Sequence, residues 1–348
     1  MSPRSTIARE TRVAAGFGLG AVSAFLAWVH HGDALVVGFT LVAAGFLVGG
    51  ARALRRRPTA RFAWRWTRRA LTAGAALLLV VFVVTPVGAA IWVTQAPREH
   101  VRSSDFAIAH EDVRLRTRDG VELAGWWVPS RNGAAVVVVH GGGGNRNGSR
   151  RHAELLARHG YGVLLYDARG NGESEGRHDA MGWTWEPDVA AAVDFLAARV
   201  EPGRIGALGL STGAEAVLQR AAHDERIAAV VSDGAVARNL AETRQLEGLE
   251  AAQAVPYFGV LFASVRVLTG HSQPPPLQKL VPEIAPRPVL LVATPGAETT
   301  MNRAYHRAAP TTELWELRDT AHTRGLAEHP VAYERHVLGF FDRALLDS

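Results

Sequence analysis

The chain has 348 residues, 48% of them hydrophobic and 20% charged, with a formal net charge of +5 and no cysteine. Disulfides, thiolate nucleophiles and cysteine-ligated zinc are therefore excluded. The basic excess sits in residues 1–96, where 11 Arg face only Glu10 and Asp33; residues 97–348 carry 27 basic and 31 acidic side chains, which disfavours a basic nucleic-acid groove.

Three apolar runs without charge open the chain, at 13–29, 34–50 and 70–93. Crossing a bilayer core takes about 17–25 apolar residues in a helix, so the first two are near the minimum and the third is ample. A cleaved signal peptide is the competing reading of the first run. The second run, however, begins only four residues later, as in a tight helical hairpin. Residues 1–96 are thus read as a membrane anchor of three transmembrane helices, with Pro86 placed to kink the third. The stretch 52–69 holds eight Arg and no acid, which assigns it to the cytoplasmic side under the positive-inside rule. Three spans then leave everything after Val93 outside the cytoplasm, a multi-pass protein of the cell membrane with an extracytoplasmic domain.

From about residue 105, strand-like and helix-like stretches alternate. Residues 112–128 read as a hairpin turning at Asp119-Gly120, a pair that tolerates positive φ in a two-residue turn. The run 134–140 is continuously apolar, as expected of a strand buried on both faces of a parallel sheet. A helix at 149–159 precedes a strand at 162–167, and a helix at 186–199 precedes a strand at 204–210. Another helix begins near 213, further strands fall at 227–233, 287–293 and 312–318, and a last helix covers 330–345. Such alternation predicts an α/β domain over 97–348, a mostly parallel sheet with helices on both faces. The segment 236–283 exceeds an ordinary connection, and its apolar part, 255–270, is expected to form a cap or lid over an acyl pocket, with an ordinary packing helix as the competing reading.

Two Gly-x-Ser-x-Gly matches compete for a chemical role, "GLSTG" at 209–213 and "GESEG" at 172–176. A nucleophile elbow needs a buried strand before the serine and a helix directly after it. Ser211 has both, since "IGALGL" leads into it and Ala214, Val217, Leu218 and Ala221 share a helical face behind it. Ser174 has no helical pattern after it, and Glu173 and Glu175 would oppose a developing negative charge. Ser211 is the predicted nucleophile and Ser174 a loop residue. The Thr212 N–H, at the helix start, is positioned to receive an oxyanion.

The tract "VVVVHGGGGNRN…YDARGNGESEG…RIGALGLSTGAEA…PRPVLLVATPGAE…DTAHTRGL" resembles the α/β-hydrolase fold. It is similar in style to the dienelactone-hydrolase, prolyl-oligopeptidase-like and membrane-anchored Bem46-like branches, over about 105–345. Ala214 departs from these branches, which often carry a second glycine there. The resemblance implies a catalytic histidine after the last strand, which falls on His322. It implies an acid after the preceding strand, where Glu298 is the only carboxylate in "ATPGAETTMNRAY", although the common Gly-x-x-Asp arrangement is missing. Asp233, one strand earlier, is the alternative acid. His140, in "HGGGG", matches the oxyanion-loop motif, where a histidine organises the loop. By the same resemblance the second oxyanion donor is the Gly142 N–H, with Gly141 its neighbouring alternative.

These assignments describe a membrane-anchored serine hydrolase that cleaves an ester, thioester or related acyl bond through an acyl-enzyme. A serine peptidase or acyltransferase on the same triad, or a non-catalytic membrane interaction protein on this scaffold, are the alternatives. No metal or organic cofactor is expected. The expected partners are a small-molecule or lipid-like acyl substrate and membrane lipids, with no nucleic acid.

Overall fold

Val136, Val137 and Val138 are fully buried, because one strand made of valine presents apolar side chains to both faces of a sheet. The computed structural model describes residues 60–95, 101–102, 106–179 and 181–347. Eight strands form its sheet: β1 (Glu111–Arg116), β2 (Glu122–Val128), β3 (Ala135–Val139), β4 (Gly162–Tyr166), β5 (Ile205–Leu210), β6 (Ile227–Asp233), β7 (Val289–Ala293) and β8 (Glu313–Glu316). Their spatial order is β1-β2-β4-β3-β5-β6-β7-β8. β2 is antiparallel to β1 and β4, and every later pairing is parallel.

The principal helices are α1 (Ala60–Leu79), α2 (Thr85–Gln95), α3 (Arg150–Arg158), α4 (Glu186–Ala197), α5 (Thr212–His223), α6 (Gly248–Thr269), α7 (Ala297–Ala308) and α8 (Pro330–Leu345). Successive residues of a strand point to opposite faces, and the core divides accordingly. Val137 and Val139 join Val189 and Val193 of α4, Val217 and Leu218 of α5, and Met301 and Tyr305 of α7. Val136 and Val138 join Leu155 and Leu156 of α3 and Val337 and Phe341 of α8. The sheet therefore carries helices on both faces, as the alternation of strands and helices predicts.

The β1–β2 turn differs from its expected form. Five residues, Thr117–Val121, separate the strands, closed by Thr117 N–H donating to the Val121 carbonyl at 2.9 Å. Only Gly120 has positive φ there, at 88°. Asp119 instead binds Arg169, so its side chain anchors the turn to a distant loop.

The chain divides into two units, Met1–Pro86 and Val87–Ser348. The expected spans 13–29 and 34–50 lie outside the described residues. The third falls within a helix whose stretch Trp64–Gln95 is long and apolar enough to cross a membrane, with mean hydropathy 2.5. A π-helical turn at Val80–Val84 joins α1 to α2. There the Thr85 N–H bonds the Val80 carbonyl, five residues back. Pro86 directly follows; it lacks the donor for a helical bond and its ring crowds the preceding turn, a common cause of such a widening. Helix α6, in the segment 236–283, also passes the length and apolarity test, with mean hydropathy 1.4.

Candidate active site

Ser211 ends β5 and begins α5 with φ 53° and ψ −120°, a conformation that non-glycine residues rarely adopt. Holding it costs about 1–3 kcal/mol, which the surroundings must offset. The Ser211 N–H donates to the Asp233 carbonyl at 2.8 Å, and the Ser211 carbonyl accepts from Ala214 N–H at 2.8 Å. The flanking glycines are required by space. A Cβ at Gly209 would lie 2.3 Å from the Gly213 carbonyl oxygen, and one at Gly213 would lie 2.5 Å from the carbonyl oxygens of Val139 and His140. The elbow is thus wedged between the ends of β5 and β3, with its serine lifted above the sheet. At position 214 the alanine side chain is fully buried and fits.

His322 lies in the loop after β8, and its Nε2 is 2.8 Å from Ser211 Oγ. Its Nδ1 bonds Glu298 Oε1. A carboxylate only accepts, so Nδ1 carries the proton and Nε2 is left to accept from the serine hydroxyl. Glu298 sits in the first turn of α7, held by Thr294 N–H at 3.0 Å on Oε2 and Thr294 Oγ at 2.7 Å on Oε1. Burial alone would raise the Glu298 carboxyl; the bonds from His322 and Thr294 outweigh it and hold it below its ordinary range. The Glu298 bond raises the His322 imidazole above its ordinary value, against the opposing effect of burial. The histidine side chain remains 49% exposed, so this end of the site is open to solvent.

Asp233, the alternative acid, is placed differently. It is 1% exposed, and its Oδ2 accepts from the Tyr333 hydroxyl at 2.8 Å. Its Oδ1 is buried with no hydrogen-bond partner among the described residues. Burial, with the charge of Glu298 adding to it, pushes its carboxyl up to about 7 although the Tyr333 bond pulls the other way. A carboxyl that burial pushes toward its neutral form is a weaker partner for an imidazolium than Glu298. Asp233 contributes through its main chain, which anchors Ser211.

Thr212 is the first residue of α5, where the helix end presents backbone N–H groups and partial positive charge. Gly141 packs beside the serine: a Cβ built there would sit 3.4 Å from Ser211 Cβ. Gly142 follows it in a turn closed by Gly144 N–H donating to the Gly141 carbonyl at 3.2 Å. His140 fixes that turn, since its Nε2 accepts from Ala168 N–H at 3.0 Å and its Nδ1 lies 2.7 Å from the Gly141 carbonyl. The ring is therefore neutral with the proton on Nδ1, and burial pushes its pKa down.

Sequence reasoning missed three supports of this site. Gly234, with φ 82°, lets the His322 ring approach, because a Cβ there would lie 3.0 Å from His322 Cε1. Thr294 fixes both carboxylate oxygens of Glu298. Arg146 forms a buried ion pair with Asp167 at the end of β4 and stands 4.6 Å above the Trp126 ring, tying the glycine loop to the next connection. An arginine in a glycine-rich loop and an aspartate at a strand end were the only local signals. Ser174 is fully buried, donating to the Asp167 carbonyl at 2.6 Å and accepting from Ala124 N–H at 2.9 Å.

Comparison with known proteins agrees with this architecture. Residues 134–262 match the model of the alpha/beta hydrolase fold. The chain is similar to the esterase Pf2001 of Pyrococcus furiosus, with a TM-score of 0.57 and 24% identity over 72% of this chain and 98% of that one. It is also similar to the alpha/beta hydrolase GrgF of Penicillium sp. sh18, with a TM-score of 0.56 and 21% identity over 68% of this chain and 99% of that one. Among curated proteins, Rv2307c of Mycobacterium tuberculosis is 36% identical over 117 residues, 32% of this chain. The chain spans only 41% of the length of that relative. The protein has the α/β-hydrolase fold, with its sheet continued by an antiparallel β1–β2 pair at one edge.

Proposed function

We propose that the protein is a membrane-anchored serine hydrolase acting on an ester, thioester or related acyl bond. The observation that carries this reading is the hydrogen-bonded run from Ser211 Oγ through His322 to Glu298. A serine hydroxyl is a poor nucleophile at neutral pH and needs an adjacent base held in the right tautomer. His322 Nε2 takes the hydroxyl proton as Ser211 Oγ bonds to the substrate carbonyl carbon. The carbonyl oxygen becomes an oxyanion, received by the N–H groups of Thr212 and Gly142. The tetrahedral intermediate collapses, the bond to the leaving group breaks, and His322 returns the proton to that group. Water then repeats the sequence on the acyl-enzyme, releasing the acid and restoring Ser211. Glu298 stays ionised throughout and stabilises the imidazolium.

The apolar stretch Trp64–Gln95 supports membrane anchoring, and the arginines of 52–69 favour a domain outside the cytoplasm. A panel of esters graded in acyl length, run beside thioesters and peptide amides, tests the reaction class. Turnover of one of these by the wild type, lost in Ser211→Ala, is the expected result. Equal turnover by both proteins would exclude the serine mechanism, and preferential cleavage of amides would make the protein a peptidase.

A further inference from the structure

Helix α6 is apolar on two opposite sides. One side is inward: Leu261, Phe262 and Val265 are buried in a cluster with Trp183 and with Ala90 of α2, and Ala89, Val93, Met181, Tyr257 and Phe258 pack against it. The other side faces solvent. Leu249, Ala252, Pro256, Val260, Ala263 and Val267 recur at three- and four-residue spacing, so they form one stripe along the helix. All are exposed except the half-buried Val260; Val267 is 85% exposed and Leu249 74%. Gln253 and Ser264 are the polar residues bordering the stripe on one side, and the only charges of the helix, Glu250 and Arg266, fall on its flanks.

A helix apolar around most of its circumference is expected inside a core or against lipid. Residues of α2, the end of the stretch that is apolar enough to span a membrane, share the α6 cluster. Ala89, Ala90 and Val93, near the end of that stretch, therefore pack with α6. The same helix reaches the candidate active site through two contacts. Its Phe262 ring lies 5.6 Å from the Trp183 ring. The neighbouring Gly182 is pressed against Thr212, where a Cβ would come 2.2 Å from the threonine methyl group.

We propose that the outward stripe of α6 is a bilayer-docking surface, and that it sets Ser211 to work on acyl lipids drawn from the membrane that anchors the chain. The stripe enters the headgroup–acyl boundary in the manner of an interfacial helix, whose binding scales with its buried apolar area. The substrate clause rests on the serine-hydrolase reading; the docking clause does not.

The chain has no cysteine, so single-cysteine variants place a probe without background. An environment-sensitive fluorophore on Ala263→Cys or Val267→Cys, in full-length protein reconstituted into phosphatidylcholine vesicles, is expected to shift to the blue. Doxyl-labelled lipid is expected to quench it. Glu201→Cys, exposed in the turn before β5, is expected to show neither change. Quenching at 263 and 267 no stronger than at 201 would overturn the docking surface, as would a blue shift without lipid quenching, which would mean that a second protein copy covers the stripe. In the activity arm, the Ala263→Glu/Val267→Glu double variant is expected to hydrolyse a long-chain ester embedded in vesicles about tenfold more slowly, as a loss of about 1.4 kcal/mol in docking would give. Hydrolysis of soluble p-nitrophenyl acetate is expected to be unchanged. Equal rates on the embedded ester would overturn the lipid-substrate clause. Absence of turnover on both esters in the wild type would instead count against the hydrolase reading, and the quenching result would still decide the docking surface.

Discussion

Two segments of this chain carry the same five-residue pattern and meet opposite fates. At 209–213 the glycines let the start of α5 lie close against the ends of β5 and β3, so that the serine between them turns its hydroxyl to an imidazole. At 172–176 the serine is fully buried and its hydroxyl is occupied on both sides, by the Asp167 carbonyl and the Ala124 N–H. Both flanking glycines have positive φ there, and a side chain at Gly172 would collide with Asp167 at 2.2 Å. Small residues serve close approach in both places. What separates them is whether the serine oxygen is left with a base or with the main chain.

The largest effects are expected at the serines themselves. Ser211→Ala is expected to remove nearly all turnover, leaving only the roughly 10³–10⁴-fold over water that related sites retain without their nucleophile. Ser174→Ala is expected to keep turnover but lower stability by about 1–3 kcal/mol, because two buried backbone groups lose their partner. Steady-state kinetics and denaturant titration of the two variants check both halves; equal losses of turnover would erase the distinction.

The two carboxylates differ in the same way. Glu298→Gln keeps the shape but removes the charge that orients His322, with an expected fall in kcat of about 10²–10⁴-fold by analogy with other serine triads. Asp233→Asn is expected to stay within about tenfold of wild type, because this carboxyl bonds Tyr333 rather than His322. A reversed order would move the acid to β6.

A smaller effect lies in pH. Glu298 favours protonated His322, so the imidazole titrates above its ordinary value of 6.5. Activity needs the neutral base, and the acid limb of kcat/KM is expected above pH 6.5, moving down in Glu298→Gln. The pair's contribution to stability runs in the opposite direction. It is present while His322 is protonated and Glu298 ionised, so it is lost as pH rises through the folded value of His322 and again as pH falls through the lowered value of Glu298. An acid limb at the same pH in both proteins would deny the coupling.

The smallest expected change is at Gly234. Ala there must tolerate φ 82° and a contact of 3.0 Å with the His322 ring, which is expected to displace the base and lower kcat with little effect on binding. An unchanged kcat would show that the loop absorbs the methyl group.

The parts of the molecule evident from the sequence are those with a local signature. Five buried positions in a row mark β3, and a strand running into a helical face through Gly-x-Ser-x-Gly marks the elbow. The supports of the site have no such mark, since they arise between segments far apart in the chain. Gly234 and His322 are 88 residues apart in sequence, and nothing near either announces their contact. Thr294 is one more threonine until α7 turns Glu298 back onto it. The five-residue β1–β2 turn escaped for a related reason: Asp119 is drawn to Arg169, across 50 residues, instead of serving the two-residue turn that Asp-Gly suggests.

In the proposed reaction the hydroxyl of Ser211 is the nucleophile, activated by His322. The direct measurement is covalent labelling with a fluorophosphonate, followed by mass mapping of the modified peptide in wild type and in His322→Ala. One adduct on Ser211, formed in the wild type and abolished without the imidazole, is the expected result. An adduct on Ser174, or no adduct in a protein that still cleaves esters, would contradict it.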